Sequence, residues 1–173
     1  MGDSFFIYLE QLELLFFFSG YLLIYLFIRA VAETGWTKKI FAKNISTLLP
    51  YSYALVGVLY LGFLLKSLYP DYSMSYINAA IKIPALKIWA LSSILFFVPR
   101  FAKNPVYSLL HSLVFIFFIF RHFYFYLFKS IDKSVLKNDM NLYAYSLLIN
   151  IAAFFCVMAL ASLYNKLRIK KPD

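Results

Sequence analysis

Seven ionisable side chains lie inside or at the edges of strongly apolar segments: Glu10, Glu13, Lys66, Lys87, His111, Arg121 and His122. A charge surrounded by hydrocarbon is costly unless it is paired, hydrogen-bonded or reached by water, so each of these groups implies a partner. Glu10 and Glu13 are three apart and share one helical face. Arg121 and His122 interrupt the run LVFIFFIFRHFYFYLF from Leu113 to Phe128. Carboxylates, ammonium groups, a guanidinium and an imidazole together suit a proton path, an ion site or a headgroup pocket. His122, beside Arg121, is the better histidine for titration, and His111 reads as a packed, hydrogen-bonded residue.

Metal and nucleophile chemistry are poorly served. His111 and His122 are eleven apart, about 16 Å along a continuous helix, so they cannot share a metal or a haem iron. Cys156 is the single cysteine, which excludes an intrachain disulfide; its place in an apolar run predicts a small buried side chain. No nucleophile elbow, HExxH motif, phosphate loop or dinucleotide fingerprint occurs. No cofactor is expected, although the aromatic run of the fourth segment would accommodate a bound lipid or quinone.

The elements that position these groups follow from composition. The chain is 63% hydrophobic and 21% aromatic, and only 14% of its 173 residues are charged. A soluble domain carries roughly a quarter charged residues, so the expectation is an all-α polytopic membrane protein. Five spans with short loops are predicted, at about 5–30, 47–68, 83–99, 105–128 and 142–164, forming one helical domain. Pro50 is placed in the first turn of the second span, where its missing N–H costs little. The third span is the shortest. Asn104 before Pro105 reads as an N-cap followed by a first-turn proline. In the fifth span, Ser146, Asn150 and Ala153 follow helical spacing and predict a helix-packing stripe.

The net charge of +9 reads as flanking charge that orients membrane helices, and nucleic acid is not expected as a partner. Ten Lys or Arg fall on one side of the five spans and five on the other, which places the N-terminus outside and the basic tail in the cytoplasm. A bacterial inner membrane is the expected location. The tail Lys170-Lys171-Pro172-Asp173 resembles the dilysine retrieval signal of endoplasmic-reticulum membrane proteins, which makes the endoplasmic reticulum or another organelle the alternative.

With five spans, the starts of the first and third lie at the same membrane face as the ends of the second and fourth. At about 1.5 Å per residue, Glu13 is about 12 Å deep, Arg121 about 10 Å and Lys87 about 6 Å. Matching depth predicts a Glu13–Arg121 pair, with Glu10 beside it, while Lys66 and Lys87 reach toward the interface. The short loops and the lack of a catalytic constellation predict a non-catalytic integral membrane subunit of a larger transport, motor, secretion or respiratory assembly, surrounded by lipid and other membrane subunits. The alternatives are a small proton-coupled transporter or channel using the Glu, Arg and His cluster, and a quinone- or lipid-handling membrane protein.

Overall fold

A computed structural model of the chain describes residues 2–33, 39–70, 72–73, 75–77, 81–128 and 133–169. Every element among the described residues is helical. In chain order these are α1 (Gly2–Phe18), α2 (Tyr21–Glu33), α3 (Lys39–Leu68), α4 (Pro84–Ser92), a 3-10 turn (Ser93–Phe97), α5 (Pro99–Ala102), α6 (Pro105–Phe128) and α7 (Lys133–Ile169). By length and composition, three stretches among the described residues can cross a membrane: Ile7–Glu33, Ile45–Leu68 and Asn141–Leu167. Two shorter apolar helices, Pro84–Phe97 and Pro105–Arg121, accompany them.

α3 is the central helix and touches every other element. Its buried side chains Tyr53, Ala54, Val56 and Tyr60 are fully covered, and aromatic rings converge on them. Phe18 and Phe115 stack with centroids 4.7 Å apart, Tyr21 lies 4.3 Å from Tyr53, and Phe17 meets Tyr60 edge-on at 5.3 Å. Such pairs contribute about 0.5–1.5 kcal/mol each beyond the area they bury. That contribution matters where lipid, being as apolar as the side chains, supplies little drive for helices to associate.

Four features differ from the sequence reading, each for a local reason. The first apolar run is two helices, because the ladder stops at Ser19–Gly20 and resumes with Ile24 N–H to Gly20 O. α3 begins at Lys39, so Pro50 is a buried interior proline and not a first-turn one, and it brings no N–H of its own to the helix ladder. α7 begins at Lys133, so the polar stretch before residue 142 is largely helical and the helix reaches 37 residues. The third segment is a nine-residue α-helix tightened into a 3-10 turn, followed by extended Val98 (φ −74°, ψ 123°). Val98 precedes Pro99, whose ring disfavours a helical conformation at the residue before it.

Other local expectations are met. Asn104 Oδ1 accepts the Val106 N–H at 3.0 Å, and Pro105 is the first residue of α6. Ser146, Asn150 and Ala153 are all buried on α7, which packs against α1, α2 and α3. Cys156, by contrast, is exposed on α7, because it falls outside that stripe. The tail beyond Ile169, with Lys170 and Lys171, lies outside the described residues.

Candidate functional site

α4 opens without help from its own sequence. Its first residue, Pro84, has no N–H, and the preceding Ile83 has no side chain able to cap the helix. The donors at this helix start therefore need an acceptor from elsewhere. Glu10 of α1 supplies it: Oε1 accepts the Lys82 N–H at 2.7 Å and Oε2 accepts the Ile83 N–H at 2.8 Å. Lys87, one turn into α4, completes the arrangement with Nζ 3.2 Å from Glu10 Oε1. The two charged side chains are only 7% and 8% exposed. A carboxylate here also meets the positive end of the α4 dipole. Losing either partner of such a buried pair strands the other charge and typically costs 3–5 kcal/mol.

Glu13, half-buried and one turn further along α1, interacts electrostatically with Lys87 and Glu10. Together they line a cavity of about 260 Å³ with Leu9, Leu64, Ser67, Leu68 and Ile81. The expected Glu13–Arg121 pair gives way to Glu10–Lys87. Arg121 is exposed on α6 and takes no part in lining this cavity. The depth argument admitted Lys87 as well as Arg121, and the unmet N–H groups ahead of α4 draw that helix, with its lysine, onto Glu10. Lys66 is exposed in the last turn of α3. His122 belongs to α6, but its side chain lies outside the described residues.

His111 is the centre of a second polar cluster. The Tyr53 hydroxyl lies 2.8 Å from Nδ1, and Nε2 lies 2.8 Å from Ser92 Oγ and 3.0 Å from Trp89 O. Ser92 Oγ itself donates to Trp89 O at 2.6 Å. A neutral ring satisfies the whole set: Nε2–H donates toward Trp89 O and Ser92, and Nδ1 accepts from Tyr53. The Trp89 indole N–H returns a bond to His111 O at 3.2 Å. The two rings stack 4.5 Å apart at an interplanar angle of 4°. With both nitrogens engaged, His111 ties α3, α4 and α6 together and could bind a metal only by giving up one of these bonds. Among the described residues no group of three His, Cys, Asp or Glu has metal-binding spacing.

The third polar feature lies at the break between α1 and α2. The Gly20 N–H donates to Ser146 Oγ at 2.9 Å, and Asn150 Nδ2 donates to Phe17 O at 2.7 Å and to Ser146 O at 2.9 Å. Interrupted backbone inside an apolar bundle must have its polar groups satisfied by neighbouring elements, and α7 does so for the Gly20 N–H and the Phe17 carbonyl. A Cβ on Gly20 would lie 2.7 Å from Leu147 Cα, so the close approach of α7 requires glycine.

The sequence pattern misses Tyr53, Trp89 and Ser92 around His111, and Ser67 beside Glu13. One available signal is the uncapped, proline-opened start of α4, which calls for an acceptor from outside. Another is the Ser-Gly pair inside a long apolar run. Comparison with protein-family models, with curated proteins and with solved structures finds no match.

Proposed function

We propose that this chain is a non-catalytic integral membrane subunit of a larger helical assembly, with five spans, an external N-terminus and a cytoplasmic tail. One observation carries the reading. Only 28% of the apolar window of α7 is buried, against 50% for each of the other two long stretches. The outward face of α7 presents Leu148, Ile151, Phe155, Leu160, Leu163 and Tyr164 as exposed side chains. A large apolar face on one helix marks a contact surface, and partner helices complement it through interlocking side chains in a way that fluid lipid tails do not. The buried ion pair and the His111 cluster serve here as fasteners that fix which helix sits beside which.

Cys156, exposed on α7 and the single cysteine of the chain, provides a native handle for the test. A thiol-reactive photo-crosslinker attached to Cys156 in native membranes is expected to trap one or a few defined integral membrane proteins, which also co-purify in mild detergent. A chain that purifies alone and monodisperse, with Cys156 crosslinking to lipid only, would overturn the subunit reading.

A further inference from the structure

We propose that the cavity beside Glu13 takes a primary ammonium group on an apolar stem, from a free alkylamine or from the headgroup of an ethanolamine phospholipid. The proposal does not depend on the subunit reading.

The charges come first. Glu10 and Lys87 are held 3.2 Å apart, both buried, and Glu10 is further occupied by the Lys82 and Ile83 N–H groups. That pair is neutral as a unit. Glu13 is half-buried and feels the attraction of Lys87 and the repulsion of Glu10, so the cavity wall holds two carboxyl groups and one ammonium, and an incoming cation would supply the counter-charge that Glu13 lacks. The Tyr60 hydroxyl, in electrostatic reach of the same two carboxylates, is buried without a hydrogen-bond partner among the described residues, but it does not line the cavity and brings the carboxylates no positive charge. Glu13, a half-buried carboxylate at the cavity wall, favours a positively charged ligand.

The lining then selects among cations. Besides the charged groups it consists of leucine and isoleucine side chains and one hydroxyl, Ser67. Ser67 Oγ donates its proton to Leu64 O at 2.8 Å, which leaves its lone pairs to accept. An ammonium has three N–H donors and no acceptor, so Glu13 and Ser67 offer it the right kind of partner, and the aliphatic wall suits a methylene stem. Hard inorganic cations such as calcium or magnesium want about six or more oxygen ligands, more than Glu13 and Ser67 supply. A trimethylammonium group has no N–H to give and prefers aromatic faces, and no aromatic ring lines this cavity. A volume of about 260 Å³ admits an ethanolamine-sized head with several methylenes.

The test uses the full chain in a neutral detergent and follows thermal unfolding. The probes are n-butylammonium chloride and dihexanoyl-phosphatidylethanolamine, each matched by its quaternary counterpart, butyltrimethylammonium chloride or dihexanoyl-phosphatidylcholine. At least one primary-amine probe is expected to raise Tm, with an apparent affinity about ten-fold or more above that of its quaternary match. Glu13→Gln should abolish the response, and Ser67→Ala should weaken it several-fold while leaving the Glu10–Lys87 pair in place. A response to butylammonium identifies a free amine as sufficient; a response to the ethanolamine lipid alone assigns the headgroup. The proposal is overturned if neither primary-amine probe acts, if the quaternary probes act equally, or if Glu13→Gln responds as the wild type does. Should Glu13→Gln not fold, an undiminished response in Ser67→Ala overturns it instead.

Discussion

Replacing Gly20 with alanine tests a close approach of α7 backbone to the α1–α2 break. The new Cβ would lie 2.7 Å from Leu147 Cα, Leu147 N and Ser146 C, all backbone atoms of α7. Ordinary carbon contacts are about 3.5–4.0 Å, so α7 must retreat by roughly 1 Å along much of its contact with α1 and α2. Gly20 has no positive-φ requirement, so the effect is steric and not conformational. Overpacking of this kind costs about 1–3 kcal/mol. The same retreat stretches Gly20 N–H to Ser146 Oγ at 2.9 Å and Asn150 Nδ2 to Phe17 O at 2.7 Å. Interhelical hydrogen bonds in membrane proteins contribute about 0.6 kcal/mol on average and up to about 1.7. Weakening both brings the expected loss to about 2–4 kcal/mol.

The assay is unfolding from mixed micelles by a rising fraction of dodecyl sulfate, followed by circular dichroism. Gly62→Ala is the control, since a Cβ there meets nothing within 4 Å. Its helix propensity should make it neutral or up to about 1 kcal/mol more stable. Gly20→Ala and Asn150→Ala should also be strongly non-additive, because both act on the same contact. If Gly20→Ala is as stable as Gly62→Ala, the close approach of α7 to the break is wrong, and with it the account of how the interrupted backbone is satisfied.

Three further outcomes are expected. Lys87→Met should cost about 3–5 kcal/mol in the same assay, and the double variant Glu10→Leu with Lys87→Met less than the sum of the single changes, since no charge is then left stranded; additive losses would show that the pair is not coupled. Tyr53→Phe should cost about 1–3 kcal/mol by leaving His111 Nδ1 without its donor, and should alter Trp89 fluorescence through the stacked ring; an unchanged spectrum and midpoint would show that the Tyr53–His111 bond does not hold this cluster together. Arg29→Ala, which removes only the exposed 3.1 Å contact with Glu33, should shift stability by no more than about 0.5 kcal/mol; a larger loss would mean Arg29 has a role the helix-surface pair does not describe.

What could be read from the chain alone was set by periodicity and depth. Apolar runs marked the helical segments, and the four- and three-residue spacing of Ser146, Asn150 and Ala153 marked the buried stripe of α7. A rise per residue set Lys87 nearly level with the acids of α1, but depth cannot say which of two level cations turns inward. The deciding factor is local and polar. A helix opened by Pro84 behind an isoleucine has N–H groups that its own side chains cannot satisfy, and a carboxylate from another helix then serves both as cap and as counter-ion. The same reasoning explains the break at Ser19–Gly20. Apolar periodicity runs through it uninterrupted, yet two backbone groups at the break, the Gly20 N–H and the Phe17 carbonyl, are met by Ser146 and Asn150 of the α7 stripe. In both places polar side chains answer backbone groups, and at α4 the carboxylate that does so also takes Lys87 as its counter-ion, so a search for charge partners by type and depth alone does not single out the right pairs in a chain of this composition. Counting the backbone donors and acceptors that each proline and glycine sets free is the step that finds the right ones.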